Sequence, residues 1–175
     1  RFCPNKLIFV SFFLFIITIN LTAQDPSQEG DWSTPVPFSI VPVAVSNLPD
    51  GRLLMWSSQF RDTFMAIGDG ATFTEIYDPS MGVNGQGMGG TVANLDHDMF
   101  CPGINNLADG RILSAGGTSS ERTSIYDPIT GQWSRATDMN VPRGYQGNVT
   151  LTDGSVFTVG GSWGGGNSGL TNGGK

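Results

Sequence analysis

Residues 109–117 read DGRILSAGG, a tight-turn dipeptide followed by a short β-prone run that ends in two glycines. Similar stretches occur at 50–58, which reads DGRLLMWSS, and at 153–161, which reads DGSVFTVGG. The Asp-Gly pairs tolerate the positive φ that a hairpin turn requires, and the runs after them are short and apolar. Each copy therefore predicts a β-hairpin whose second strand begins just after the Asp-Gly pair.

These turns belong to an internal repeat of about fifty residues. Their starts are 59 and then 44 residues apart, and a second marker, IYDP at 76–79, returns 49 residues later at 125–128. A period near this length, with Gly-Gly followed by Tyr126 and then Trp133, resembles the kelch repeat, one blade of a β-propeller. The expected fold class is all-β, with Tyr126 and Trp133 as blade-packing residues. The Gly-Gly pairs are expected to let strands approach a crowded central channel.

Composition agrees with a many-stranded protein. The chain has 175 residues with 25 Gly and 10 Pro, and 38% of it is hydrophobic. Gly and Pro occur too often for a helical bundle, and the apolar share is too high for a disordered polymer. The formal net charge is -6, without a Lys or Arg cluster after the first residues. Such a balance argues against a nucleic-acid partner and against an anionic membrane surface.

The N-terminus has the pattern of an export signal. Lys6 is followed by a mostly apolar run over 7–21, which is shorter than a bilayer span requires, and a small residue, Ala23, follows. We interpret 1–23 as a secretory signal peptide, 24–35 as a linker and 36–175 as a partial kelch β-propeller. The alternative for the first segment is an uncleaved N-terminal anchor. The expected location is secreted, extracellular or periplasmic.

Dividing the chain by the repeat predicts about three blades, whereas propellers close with about four to eight. The final unit reaches Gly160-Gly161 without a matching Tyr or Trp. The sequence therefore predicts an incomplete ring, the N-terminal part of a longer propeller that is truncated in a blade. Such a fragment is expected to be inactive alone, although a stable functional fragment remains the alternative.

After LMWSS at 54–58, three segments depart from a generic kelch pattern: HDMFCPG at 97–103, RGYQ at 143–146 and GGSW at 160–163. Together, in this order and at these spacings, they resemble the copper-radical oxidases of the galactose-oxidase type. The resemblance implies a secreted enzyme that oxidises a primary alcohol, of the galactose type, to an aldehyde and reduces O2 to H2O2. The tryptophan in the last segment favours galactose or alcohol oxidases over glyoxal oxidases.

The resemblance also implies roles for individual residues. Cys101 would be joined through its sulfur to the ring of Tyr145, and this thioether-linked tyrosine would bind copper and carry the protein radical. Trp163 would shield the radical from solvent, and Phe64 would line the substrate pocket. The remaining copper ligands of such oxidases, two histidines and a second tyrosine, come from later blades and are absent from this chain.

Each of these residues has a purely structural alternative. Cys101 could be a small buried apolar residue, Tyr145 a core residue and Trp163 the cap of a blade. His97 is the single histidine of the chain and suits copper chemically. We assign it instead to a hydrogen-bonded structural role, because the resemblance does not make it a ligand. The Asn148 sequon is expected to lie within a strand.

Two functions from different classes follow. The first is a copper-radical oxidase that acts on a small alcohol or sugar with O2, contacts neither nucleic acid nor, after signal cleavage, a membrane, and is a monomer when full length. The alternative is a non-catalytic kelch propeller that binds carbohydrate or protein, since this fold supports many functions.

Overall fold

A computed structural model describes residues 30, 32–58, 60–64, 70–85 and 91–162. The chain divides into two units between Thr34 and Pro35, and every described strand lies in the second unit. The expected signal peptide and Trp163 lie outside the described residues, as does most of the expected linker. Within the described part, no helix is long and apolar enough to cross a membrane.

The described chain is all-β apart from one short 3-10 helix. Three antiparallel sheets follow one another along the chain: four strands in order β1-β2-β3-β4, four in order β5-β6-β7-β8, and the pair β9-β10. The strands are β1 (Ala44–Asn47), β2 (Leu53–Trp56), β3 (Ala71–Tyr77), β4 (Thr91–Asn94), β5 (Gly103–Asn106), β6 (Ile112–Ala115), β7 (Thr123–Asp127), β8 (Gln132–Arg135), β9 (Gly147–Thr150) and β10 (Val156–Val159). The helix, Pro79–Asn84, follows β3 and was not predicted from the sequence.

The Asp-Gly turns adopt one geometry in all three sheets, which accounts for the recurrence of this dipeptide in the sequence. In the second sheet the Gly110 N–H donates to the Leu107 carbonyl at 3.0 Å, and Gly110 has φ 86°. The Asp109 carboxylate accepts from the Arg111 backbone N–H at 3.1 Å. The equivalent bonds and positive φ recur at Gly51 and Gly154. The predicted hairpins are confirmed, because only a residue without a Cβ adopts this φ cheaply.

The core lies between the first two sheets. Trp133 on β8 packs edge-on against Trp56 on β2, with ring centroids 5.2 Å apart, and its indole N–H donates to the Thr74 hydroxyl at 2.9 Å. Tyr126 lies 5.3 Å from Trp133 by ring centroids and is 2% exposed. The predicted packing roles of Tyr126 and Trp133 are therefore confirmed.

The third sheet leaves one apolar face open. Four apolar side chains on this face are between 44% and 54% exposed: Val149, Leu151, Phe157 and Val159. Leu54 and Trp56 occupy the corresponding face of the first sheet and are fully buried. The sheets thus form an open, incomplete arc, as predicted.

The inner strands are joined by polar side chains. The Asn106 amide on β5 donates to the Asn47 carbonyl on β1 at 2.7 Å, and the Thr150 hydroxyl on β9 donates to the Asn106 carbonyl at 2.7 Å. These residues occupy equivalent positions in the repeat. One side chain per unit therefore bonds the backbone of the preceding unit and holds neighbouring sheets in register. Asn148 lies within β9, as predicted for the sequon.

Candidate functional site

The loop between β4 and β5 carries Cys101 and is anchored by the buried His97. One nitrogen of its ring, Nδ1, lies 2.8 Å from the Ser124 hydroxyl, and the other, Nε2, lies 3.0 Å from the Gly116 carbonyl. A carbonyl only accepts, so Nε2 carries the proton and Nδ1 accepts from the hydroxyl. Both nitrogens are thus engaged in structural bonds, which confirms the hydrogen-bonded role predicted for His97.

Asp98 continues the same anchor. Its Oδ1 accepts from the Phe100 N–H at 3.1 Å, and its own N–H donates to the Ser119 hydroxyl at 3.0 Å. Burial raises the pKa of this carboxyl above its ordinary value. These bonds fix the loop at Asp98, three residues before Cys101.

The structure places Cys101 beside Tyr145. The Tyr145 backbone N–H donates to the Cys101 carbonyl at 3.1 Å. A side-chain hydrogen bond to Cys101 raises the pKa of the Tyr145 phenol above its ordinary value, and the charge of the neighbouring sulfur acts in the same direction. Tyr145 is 61% exposed and Cys101 is partly exposed. The two side chains therefore meet at the surface, which does not fit the alternatives of a core tyrosine and a buried apolar cysteine.

Both residues have an unusual backbone. Cys101 has φ 62° and Tyr145 has φ 57°, in the left-handed region that costs a side-chain-bearing residue about 1–2 kcal/mol. Among the described non-glycine residues, Asp96 is the one other case. Strain of this kind is kept where the surrounding contacts impose it, and it is often found at functional sites.

The Gly-Gly pair of the second sheet makes room for these loops. A Cβ on Gly116 would lie 2.1 Å from the Arg143 carbonyl, and one on Gly117 would lie 2.4 Å from the Phe100 carbonyl. The pair therefore permits the close approach of the Cys101 and Tyr145 loops. The expectation that the Gly-Gly pairs let strands approach a central channel stays a prediction.

Phe64 packs beside the Cys101 loop, and the chain just before Trp163 reaches the Tyr145 loop. Phe64 is 66% exposed and stacks edge-on against Phe100, the residue before Cys101, with ring centroids 4.8 Å apart. Trp163 is outside the described residues, but the preceding Ser162 donates its backbone N–H to the Gly144 carbonyl at 2.9 Å. The last described residue before Trp163 is thus fixed next to Tyr145.

The burial of His97 gives a pH dependence of stability. Desolvation lowers the pKa of His97 from 6.5 to about 4, so the unfolded chain binds more protons between these values. The free energy of unfolding that depends on neutral His97 is fully present above pH 6.5. It falls by up to about 3 kcal/mol as the pH falls toward 4. We expect His97→Gln to be less stable at pH 7 and to lack this part of the pH dependence. Urea unfolding of both proteins from pH 7 to 4 measures the difference.

Comparing the two proteins isolates His97 from Asp98, whose raised pKa acts in the opposite direction. A stability difference between the wild-type protein and His97→Gln that stays constant over this pH range would contradict the assignment.

The described residues do not form a complete copper site. No group of three or more His, Cys, Asp or Glu side chains in the described part of the chain could hold a metal ion. The ring of His97 is already engaged on both sides, and Tyr145 contributes a single phenol oxygen. We therefore derive no reaction step through copper from these residues.

Comparison with known proteins agrees with this fold and these loops. No protein-family model matches the chain. A fungal alcohol oxidase of the AA5 family, solved in complex with copper, superposes with a TM-score of 0.63 and 37% identity over 78% of this chain and 29% of its own. Kelch-like ECH-associated protein 1A of Danio rerio is 41% identical over 61 residues, 34% of this chain and 10% of its own. The chain is thus a partial kelch-type β-propeller similar to an alcohol oxidase of the AA5 family.

The sequence comparison adds a relative whose activity is named. Galactose oxidase of Gibberella zeae is 44% identical over 146 residues, which cover 83% of this chain and 21% of that protein. The chain is a homologue of galactose oxidase and spans about a fifth of its length. The resemblance inferred from the four sequence segments is confirmed.

The sequence analysis predicted roles for Cys101 and Tyr145 but gave none to Arg143, which is buried beside the Tyr145 loop. Arg143 stands two residues before Tyr145 in the sequence, but its burial is visible only in the structure, and charged side chains are seldom fully buried without a specific role.

Proposed function

We propose that the gene product containing this chain is a secreted copper-radical oxidase that oxidises a primary alcohol to an aldehyde and reduces O2 to H2O2. The observation that carries the proposal is the meeting of Cys101 and Tyr145 at the surface. The galactose oxidase and AA5 alcohol oxidase relatives support the reaction class. Whether the substrate is galactose or another primary alcohol is decided by experiment.

Within this proposal, Cys101 and Tyr145 become one redox group. The thiol S–H bond and one ring C–H bond break, a C–S bond forms, and the two hydrogens reduce O2 to H2O2. The thioether-linked phenol of Tyr145 then cycles by one electron. Copper would be held by the Tyr145 oxygen together with ligands that the described residues do not provide, and it would supply the second electron acceptor that a two-electron oxidation requires.

Neighbouring aromatic residues protect this group. Phe64 and Phe100 form an apolar contact on the Cys101 side, and we propose that Phe64 contacts the substrate. Trp163 follows Ser162 directly in the sequence. We assign it to cover the Tyr145 ring, because excluding water prolongs the life of a reactive intermediate.

The reaction is tested with the full gene product loaded with Cu(II). We expect primary alcohols to yield aldehyde and H2O2 in equal amounts, measured by a peroxidase-coupled assay and by product analysis. Removing the metal with a chelator abolishes the reaction, and Cu(II) but not Zn(II) restores it. A copper-loaded protein that produces no H2O2 from a panel of primary alcohols, galactose and glyoxal would overturn the proposal and favour a binding propeller.

Export and assembly belong to the same proposal. We propose cleavage near Ala23, after the apolar run over 7–21, and a monomeric secreted enzyme. N-terminal sequencing of the exported protein tests the cleavage, and light scattering tests the oligomeric state. An N-terminus that keeps the apolar run would indicate an anchor.

A further inference from the structure

Arg143 lies where three chain segments meet around Tyr145. Its backbone N–H donates to the Ser120 carbonyl at 2.8 Å, and its own carbonyl accepts from the Gly117 N–H at 3.1 Å. Two residues later, Tyr145 donates to Cys101. The main chain on both sides of Gly144 is thus fastened to the second sheet and its loops.

The side chain of Arg143 adds two further bonds. Its Nη1 donates to the Gly160 carbonyl at 2.8 Å, and its Nε donates to the Val141 carbonyl at 3.3 Å. Gly160 follows β10, the last strand of the described residues, whereas Val141 lies at the entry to the Tyr145 loop. A single planar group therefore ties the end of the third sheet to the start of this loop.

The junction is closely packed. A Cβ on Gly161 would lie 3.0 Å from the Arg143 Cβ and 3.0 Å from the Gly144 carbonyl oxygen. Arg143 is 5% exposed, and no carboxylate among residues 91–162 lies within ion-pair distance of it. Among the described residues the printed partners of this guanidinium are carbonyl oxygens, and burying a charged group on such partners is costly compared with an aliphatic side chain of similar size. The planar guanidinium does, however, provide hydrogen-bond donors with fixed directions.

We propose that Arg143 is a positioning residue for the redox pair. Its guanidinium holds the Tyr145 loop between β10 and Val141, so that the Tyr145 ring stays against Cys101 while the thioether forms. The inference rests on the proposed function and adds to it a residue that touches neither the sulfur nor the phenol oxygen. Its role is to keep the reacting side chains in the strained backbone that both adopt.

The geometry predicts different effects for different replacements. Arg143→Met keeps the length of the side chain but removes both donors. Arg143→Lys keeps one charge and can bond one carbonyl, but it lacks the planar pair of donors. Arg111→Met is the matched control, because Arg111 is an arginine of the second sheet whose side chain is 45% exposed and paired with Asp109.

The test measures the rate at which the full gene product, purified without metal, forms the Cys101–Tyr145 thioether after addition of Cu(II) in air. Digestion and mass spectrometry follow the linked peptide, and urea unfolding of the metal-free protein measures stability. We expect the rate to fall about tenfold or more in Arg143→Met, to fall less in Arg143→Lys and to be unchanged in Arg111→Met. In the fully linked enzymes we expect KM to stay the same.

The outcomes separate this inference from the proposed function. If the wild-type protein forms no thioether, the proposed function fails. If it does and the folded Arg143→Met protein forms it at the wild-type rate, the positioning role is overturned, even where the urea midpoint falls. Should Arg143→Met not fold, Arg143→Lys decides in the same way: a wild-type rate contradicts the inference, and a slower rate with a folded protein supports it.

Discussion

Replacing Cys101 by Ser is expected to lower the alcohol oxidase rate of the copper-loaded gene product at least about a hundredfold, which corresponds to about 2.7 kcal/mol of activation free energy. Serine keeps the size and the backbone bond to Tyr145 but cannot form the thioether. The phenol of Tyr145 then lacks the sulfur substituent that eases its oxidation. Peroxidase-coupled assays at saturating alcohol measure the loss.

The partner substitution makes this prediction more specific. Tyr145→Phe is expected to lose at least as much activity, and Cys101→Ser added to Tyr145→Phe should cause no further loss, because residues that act as one unit are not additive. Tyr77→Phe is the matched control, since Tyr77 packs on Phe38 in the first sheet. Full additivity of the two site substitutions, or an equal loss in Tyr77→Phe, would contradict a shared redox group.

Replacing Trp133 by Ala is expected to destabilise the propeller by about 3–5 kcal/mol. The substitution removes the ring contacts with Trp56 and Tyr126 and leaves the buried Thr74 hydroxyl without its donor. The cavity would lie in the core between the first two sheets. Urea unfolding of the gene product, followed by fluorescence and circular dichroism, measures the change.

The control for Trp133 is an exposed apolar residue of the same sheet region. Ile129 is 93% exposed, so Ile129→Ala should change the free energy of unfolding by less than about 0.5 kcal/mol. A loss of similar size in both variants would show that the core between the sheets does not dominate stability.

Much of the fold could be predicted from the sequence because its signals are local. The Asp-Gly turns require positive φ at Gly51, Gly110 and Gly154, and this requirement marks the hairpins directly. Spacing then gave the repeat, and large aromatic residues at repeated positions gave the packing of Tyr126 and Trp133. The helix Pro79–Asn84 was missed because its sequence is short and contains Gly82, which interrupts it.

The candidate site could not be predicted from local sequence signals in the same way. Cys101 and Tyr145 are far apart in sequence, and nothing in their local composition shows that they meet, so only the family resemblance paired them. The contacts of Arg143 are with backbone carbonyls of distant segments, and carbonyls are present at every residue. Sequence therefore carries no signal for which carbonyl a buried arginine will bond.

The proposed function depends most directly on the covalent link between Cys101 and Tyr145. The most direct test is tryptic digestion and mass spectrometry of the full gene product after incubation with Cu(II) in air. Trypsin cuts after Arg61, Arg111 and Arg143, so Cys101 and Tyr145 fall on separate peptides. We predict one linked species, lighter than the sum of the two peptides by two hydrogen atoms and stable to reducing agents. Recovery of both peptides unlinked, with a free Cys101 thiol, would contradict the account.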